Sequence, residues 1–420
     1  MPTPLTLRRG LAAAALSAAL ALPAAAQLPG ATFSAVDQDA LSVRPLPPAL
    51  AMGDAVAAVP GPQTAFFANP AHGASLDRLH LTVVGVTAGV GGDLWDAYSF
   101  YRDELGPAIE EGLSEIRDED PERLRELYDR AFEVGRRQKT ASAAAQALAV
   151  QANAGPVALG VGAFGAARAR ARVVDVGAGI PYLDTYTQAD LYVPVTVAAE
   201  VPGAPLPLSV GASATWVQRR VTAKADYVES LDPDGEKAYL LKGSTLAFGA
   251  GALARDVGLP GLDLGASVQG LGAAPDLRFD EAWSISGSEA APDDAAEIAE
   301  LEARFNGRAA AAELRLGAAY RLPLQAPGLD DTSVSVDWVS GSTSELDQGA
   351  ATGLRLGVRT RLAKVLDLRA GLAQGYPSAG VGLDLKYVRL DYATYGVEDG
   401  RTFGQLGRRA HLVQLRLGIL

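Results

Sequence analysis

Three histidines, His72, His80 and His411, are the residues of this chain best suited to act as general bases. A hydrolase would need one of them beside a serine nucleophile and oriented by a third polar group. If the first and last strands of the fold pair, His80 and His411 come close together, but neither lies near a recognisable nucleophile motif. We therefore predict no catalytic residue and no enzyme activity.

Metal and phosphate sites have equally little support in the sequence. The chain has no cysteine and no HExxH motif, and the acidic turn at 231–236 lacks the ligands of a calcium loop. The glycine-rich stretches at 160–165 and 247–253 precede no helix, so they do not form phosphate-binding loops. We predict no metal and no cofactor.

Charged residues alternate with aliphatic ones in several segments. The last ten residues read HLVQLRLGIL, with Val413, Leu415 and Ile419 on one face and Gln414 and Arg416 on the other. The same alternation places further charges on polar faces: Glu313, Arg315, Asp337, Arg355, Arg359 and Asp384. A soluble sandwich turns such charges to solvent, whereas a transmembrane barrel turns its aliphatics to lipid and its charges to the lumen.

The N-terminus has the pattern of a secretory signal peptide at 1–26. Arg8 and Arg9 precede an apolar run at 11–22, and three alanines at 24–26 form a small-residue cleavage site. Export without cysteines means that disulfides do not stabilise the fold. The net charge of −12 makes a nucleic-acid partner improbable on electrostatic grounds, and we expect none.

Period-two segments predict an all-β fold, an antiparallel transmembrane barrel of about fourteen strands over 79–420. The predicted strands are 79–90, 144–154, 157–174, 188–201, 207–227, 241–255, 262–274, 309–322, 332–340, 352–361, 365–373, 379–386, 388–396 and 409–420. Connections after even-numbered strands are short, and most of those after odd-numbered strands are long. This asymmetry is typical of outer-membrane barrels, with short turns at one rim and long loops at the other.

Two of the long connections are predicted to contain helix. The insertion at 93–140 includes an amphipathic helix with Asp120 as its N-cap and Pro121 at its first position. The connection at 276–308 includes a second amphipathic stretch at 292–305. The first insertion either caps the barrel mouth or docks a partner protein.

Residues 27–78, ahead of the first strand, are turn-rich and rich in small residues, which suggests a plug or hatch inside the barrel. They contain Met52, Gly53 and Asp54 in the stretch MGDA, and then AFFANPA, which includes Phe66, Phe67, Asn69, Pro70 and Ala71. Near the C-terminus, LDYA at 390–393 precedes Tyr395 and Gly396. These stretches resemble the FadL-like superfamily of long-chain fatty-acid and hydrophobic-compound transporters, nearest to its PorV-type and TraF-like branch.

The resemblance implies a fourteen-stranded outer-membrane barrel in which the plug residues named above contact a hydrophobic ligand or close the lumen. It also implies a strand interruption for lateral release, for which Pro194 is the candidate, although an edge or bulge position explains Pro194 equally well. Asn69 would bond backbone groups in the lumen, and a rigid turn is the alternative role for Asn69-Pro70-Ala71.

Three functions remain open from the sequence. The first is a barrel in the cell outer membrane, in contact with its lipid, that binds or passes small hydrophobic molecules. The second is a barrel that docks a protein of a secretion or conjugation machine. The third is a soluble exported β-sandwich.

Overall fold

The computed structural model describes residues 46–76, 79–135, 139–175, 181–227, 237–272, 275–284, 295–306, 312–324, 328–340, 352–398, 404 and 407–419. The predicted signal peptide, and residues 27–45, 77 and 78 of the predicted plug segment, lie outside the described residues.

Antiparallel strands form a single sheet. They are β1 Leu79–Gly91, β2 Lys139–Ala154, β3 Val157–Asp175, β4 Pro181–Glu200, β5 Leu208–Tyr227, β6 Lys237–Ala254, β7 Leu262–Leu271, β8 Arg278–Ser284, β9 Glu313–Arg321, β10 Leu329–Val339, β11 Leu354–Leu362, β12 Leu366–Ala373, β13 Tyr376–Asp384, β14 Val388–Glu398 and β15 Gly407–Ile419. Each strand pairs with the next in the chain, except that β9 pairs with β7, and β8 pairs with β6.

The sheet closes into a barrel because β1 also pairs with β15. Their register runs from Leu81 opposite Ile419 to Gly91 opposite Ala410. Without β8, fourteen strands form the ring, which confirms the predicted antiparallel barrel. Three strands, β2, β4 and β6, begin four to seven residues earlier than predicted, because their hairpins continue pairing beyond the apolar alternation that marked them in the sequence.

The two faces of the wall have opposite polarity. Along β15, Leu415 is 43% exposed on the outside, whereas its neighbour Arg416 is 5% exposed and faces the lumen. Exposed valines and leucines continue around the other strands and form an outer apolar belt, while most inward positions are glycine, serine or charged residues. This is the arrangement of a transmembrane barrel and the inverse of a soluble sandwich.

Helices occupy the longest connection, between β1 and β2. They are α3 Leu94–Phe100, a π-helical turn Tyr101–Leu105, α4 Gly106–Glu111, α5 Leu113–Glu119 and α6 Pro121–Gly135. Asp120 accepts a hydrogen bond from the backbone nitrogen of Arg123, and Pro121 begins α6, as predicted. Among the described residues, no helix is both long enough and apolar enough to cross a membrane.

The connection predicted as a helical loop at 276–308 is partly a strand, so that prediction was incomplete. Helix α7 Ala295–Asn306 is present, but β8 precedes it and pairs with the first residues of β6, Lys237–Lys242. The sequence did not reveal β8 because it is short and strongly charged. It pairs with the first part of β6, which extends beyond the residues of β6 that pair with β7.

Candidate functional site

A plug formed by residues 46–76 lies inside the barrel. It contains α1 Pro47–Ala51, α2 Pro62–Phe67 and a 3₁₀ helix, Pro70–Ser75. Three serines of the wall donate hydrogen bonds to its backbone carbonyls: Ser378 to Ala51, Ser335 to Ala55 and Ser267 to Ala68. Inward-facing side chains of the wall therefore satisfy part of the plug backbone.

The MGDA stretch forms a tight turn against strands β11 and β12. Gly53 and Asp54 both have left-handed backbone angles, with φ of 64° and 63°. A Cβ on Gly53 would lie 2.6 Å from the carbonyl oxygens of Leu356 and Leu372. Glycine is therefore required both for the left-handed backbone angle and for the lack of space. Asp54 then accepts a hydrogen bond from the buried guanidinium of Arg315.

A carboxylate of the barrel wall also binds the plug. Asp337 of β10 is 1% exposed and accepts a hydrogen bond of 2.7 Å from the backbone nitrogen of Ala57. Arg315 also donates to the backbone carbonyl oxygen of Asp54, at 3.0 Å. Charged groups of the lumen wall thus bind the plug through its backbone as well as through Asp54.

Inward-facing glycines allow the plug to lie directly against the wall. A Cβ at any of them would come within 3 Å of a plug atom. We call this set the glycine belt; its members are Gly211, Gly251, Gly265, Gly317, Gly357, Gly371 and Gly380. The belt crosses strands β5, β6, β7, β9, β11, β12 and β13, so it follows the plug around half of the barrel.

Asn69 fastens the plug to β6. Its Nδ2 donates to the carbonyl oxygens of Ala57 at 2.9 Å and Ala252 at 3.1 Å, and its Oδ1 accepts from the nitrogen of Ala71 at 3.1 Å. The side chain is fully buried. Asn69 is therefore both the cap of the 3₁₀ helix and a bridge between plug and wall.

Pro70 and Ala71 complete this turn. Pro70 begins the 3₁₀ helix, where its missing N–H costs nothing. The backbone of both residues lies against Gly211, where a Cβ would come within 2.5 Å. In this structure the Asn69-Pro70-Ala71 turn contacts the wall.

Phe66 and Phe67 form an aromatic cluster with the wall. Phe164 of β3 lies edge-on to both rings, at centroid distances of 5.5 Å and 4.8 Å, and Tyr192 of β4 lies 6.4 Å from Phe67. Edge-to-face pairs of this kind stabilise by about 1 kcal/mol beyond their burial. The cluster seats α2 against β3 and β4.

His72 lies at the centre of the plug and is fully buried. Its Nε2 lies 2.9 Å from the carbonyl oxygen of Ala57, and its Nδ1 lies 2.9 Å from Oγ1 of Thr64. Burial lowers the pKa of His72 to about 4, so the ring is neutral at pH 7. The carbonyl can only accept, which assigns the proton to Nε2.

The plug separates two cavities in the lumen. The upper chamber, toward the rim with long loops, has a volume of about 180 Å³ and is lined by Leu46 and Leu50 of the plug and Leu412 of the wall. Four arginines and two acids also line it: Arg168, Arg315, Arg355, Arg408, Asp54 and Glu313.

The lower chamber, toward the rim with short turns, has a volume of about 360 Å³. The plug side includes Met52 and Gln63, and the wall side is mainly basic. Its charged lining residues are Arg359, Arg361, Arg369, Asp384, Arg389 and Arg416. Of the plug residues singled out in the sequence, Asp54 lines the upper chamber, Met52 lines the lower, and the other six line neither.

Pro194 lies within β4, in continuous register with β5 opposite Thr215. Toward β3 the ladder omits the positions around it: Val161 pairs with Val195 and Phe164 with Tyr192, with no pair between them. The register is the same on both sides of this interruption. A lateral opening at Pro194 stays a prediction.

The two rim histidines do not meet. His411 lies opposite Val90, near the rim with long loops. His80 lies ten residues before Val90, at the start of β1 and near the other rim. At about 3.4 Å per residue this separates them by roughly 34 Å. The expectation that strand closure brings them together was wrong, because antiparallel pairing places the start of β1 beside the end of β15.

The grouping of the inward-facing arginines was not predicted. Alternation in the sequence indicated that residues such as Arg359 and Asp384 line the interior. It could not indicate which strands bring their charges to one height in the lumen, because that depends on the stagger between neighbouring strands.

Comparison with models of known protein families finds no match, and comparison with curated proteins finds none. Among solved structures, the Ralstonia pickettii toluene transporter TbuX aligns with a TM-score of 0.50 and 13% identity, over 89% of this chain and 98% of that chain. The monoaromatic hydrocarbon channel CymD aligns with a TM-score of 0.47 and 13% identity, over 91% and 98%. A Pseudomonas aeruginosa FadL homologue gives 0.43 and 10%, over 87% and 95%.

At such low identity the likeness to TbuX concerns the fold, and the ligand must be argued from this chain's own residues. The narrower resemblance to PorV-type and TraF-like proteins stays a prediction. The chain has the fold of a closed antiparallel barrel similar to that of TbuX.

Proposed function

We propose that this chain is an outer-membrane channel that binds small hydrophobic molecules and passes them through its lumen. The observation that carries the proposal is the plug, which lies across the lumen and leaves a chamber on either side. A purely structural barrel has no need of a gated interior. The outer apolar belt supports a location in the outer membrane.

The upper chamber is the ligand site in this proposal. Its volume of about 180 Å³ suits a small molecule, since a cavity of roughly 150 Å³ accommodates benzene. Leu46, Leu50 and Leu412 supply apolar contacts, and the arginines that line the chamber can hydrogen-bond a polar end of the ligand. TbuX, described as a toluene transporter, offers an analogy for a ligand of this size.

The test is ligand binding by the purified full chain in detergent, with toluene, naphthalene and decanoate as probes. Leu412→Trp would fill the upper chamber, because Leu412 faces the lumen. Val413→Trp is the matched control, since the next residue along β15 faces outward and is 47% exposed. We expect binding of at least one probe, a loss of about tenfold or more in Leu412→Trp, and no change in Val413→Trp.

Two outcomes would reject the proposal. One is a folded protein that binds none of the three probes. The other is equal binding by Leu412→Trp and Val413→Trp, which would place any bound probe outside the lumen.

A docking role has one observation in its favour. The α3 region exposes three aromatic side chains, Trp95, Tyr98 and Tyr101, which are 73%, 52% and 58% exposed. Aromatic residues are enriched where proteins associate. Removal of residues 94–135 would abolish partner co-purification if this face docks a secretion or conjugation protein; an unchanged set of partners would remove this alternative.

A further inference from the structure

The lower chamber has an unusual concentration of positive charge. Arginines reach it from four strands of the wall: Arg359 and Arg361 from β11, Arg369 from β12, Arg389 from β14 and Arg416 from β15. All five are inward-facing, and Arg369 and Arg416 have side chains only 2% and 6% exposed. Burying so many guanidinium groups together is costly unless they are neutralised.

The strand register places arginines directly opposite one another. Arg359 is the cross-strand partner of Arg369, and Arg389 is the cross-strand partner of Arg416. Like charges at directly opposed positions destabilise a sheet. Two such pairs in one chamber are difficult to explain by stability alone.

Carboxylates offset this charge only in part. Asp367 pairs with Arg359, Arg361, Arg369 and Arg389, and Asp391 pairs with Arg369, Arg389 and Arg416. Asp384 pairs with Arg389. Five guanidinium groups against three carboxylates leave an excess of two positive charges. Asp331, the register partner of Arg361 at the rim, reduces that excess to one if it is included.

One arginine has a donor that the described residues do not satisfy. Arg416 is 5% exposed, and its Nη2 lies 3.2 Å from Asp391, but its Nε has no hydrogen-bond partner within the described part of the chain. Leaving a buried donor unsatisfied is costly, so the structure favours an additional acceptor beside this arginine. The guanidinium group that carries this donor belongs to a residue that lines the chamber.

We propose that the lower chamber binds a small oxyanion, a phosphate or carboxylate group, between Arg416 and the neighbouring arginines. The planar fork of guanidinium groups matches both kinds of oxyanion. A volume of about 360 Å³ is far more than one water molecule needs and leaves room for such a group. The anion is either free in the periplasm or the acidic end of a longer molecule, and the site does not depend on what the upper chamber binds.

Equilibrium binding to the purified full chain in non-ionic detergent at low salt tests this proposal. The probes are inorganic phosphate, octyl phosphate and, as the uncharged counterpart, octanol. We expect saturable binding of a phosphate probe that Arg416→Gln weakens by about tenfold or more. Arg102→Gln is the matched control, because Arg102 lies outside the barrel and is exposed, and it should leave binding unchanged.

Arg361→Gln is a second variant, chosen because Arg361 is only half-buried and, among the described residues, forms its ion pair with Asp367. Heat-modifiable migration on gels checks that each variant is folded. Binding of inorganic phosphate supports a free anion, and binding of octyl phosphate alone supports an acidic end group. Three results would overturn the proposal: no binding by the folded protein, the affinity of the original protein retained in both chamber variants, or octanol binding as tightly as octyl phosphate.

Discussion

Single polar side chains hold the plug, and most of their bonds end on backbone atoms. Asn69 bridges Ala57 and Ala252, Asp337 holds the nitrogen of Ala57, and His72 bonds the carbonyl of Ala57. Each bond contributes about 1 kcal/mol, so no single one locks the plug. Ala57 takes part in three of them, two within the plug and one to Asp337 of the wall, and is therefore the residue where these bonds converge.

The buried imidazole of His72 predicts a plug that loosens in acid. The pKa of His72 is about 4 in the folded plug, below the ordinary value near 6.5. Its contribution to stability is complete above pH 6.5 and is lost as the pH falls toward 4, because the released plug takes up the proton. The loss amounts to about 3 kcal/mol at most.

Limited proteolysis of the plug between pH 7.5 and 4.5 measures this effect. His72→Gln keeps a hydrogen-bond donor for Ala57 but has no group that titrates in this pH range. The resistance of its plug to proteolysis should therefore depend less on pH. His411→Gln, at an exposed position beside Tyr392, is the control and should behave like the original protein. Protection that does not change with pH in the original protein would contradict the prediction.

At the scale of elements, the plug and wall fit because the strands carry glycine where the plug backbone approaches. The glycine belt explains part of the high glycine content of the chain, 46 residues. Side chains at those positions would hold the plug away from the wall and open a gap. The turn at Gly53 and Asp54 serves the same close approach from the side of the plug.

Gly265→Ala should therefore displace the plug. Its Cβ would lie 2.0 Å from the carbonyl oxygen of Ala57, a backbone atom that cannot rotate away. We expect a destabilisation of about 1–3 kcal/mol and an increased ion conductance in planar bilayers. Gly165→Ala is the control, since its Cβ would meet nothing within 4 Å; equal conductance of the two variants would refute the idea.

At the scale of the whole molecule, polarity is inverted relative to a soluble protein. Valines and leucines cover the outside, whereas buried arginines and aspartates fill the lumen with paired charges. Such pairs rarely stabilise a fold by themselves, because desolvation offsets most of the attraction. Closure of the hydrogen-bonded ring must therefore supply much of the stability.

A pair of leucine-to-arginine variants tests the inversion. Leu415 lies near the middle of β15 within the outer belt, and Leu259 lies in the short turn between β6 and β7; both are exposed, at 43% and 58%. In lipid vesicles, Leu415→Arg should cost about 2–4 kcal/mol and Leu259→Arg much less, as measured by urea unfolding. Equal, small effects would indicate that the outside faces water.

The sequence alone determined the fourteen strands of the ring and which face of each is apolar. Alternation of side chains is a local property, so segments such as β15 could be recognised without their partners. The strand β8 was missed because its apolar signal is weak and its pairing depends on β6. Helix α6 was recognised from its capping residues and α7 from its periodicity, whereas the short helices of the plug were not predicted.

Only the tertiary structure decided what the inward faces do together. Closure and stagger brought Arg359 opposite Arg369, placed Gly265 beneath Ala57, and separated His80 from His411. These outcomes depend on the relative height of strands that are far apart in the chain. Side-chain alternation carries no information about that height, which is set by the register of pairing around the whole ring.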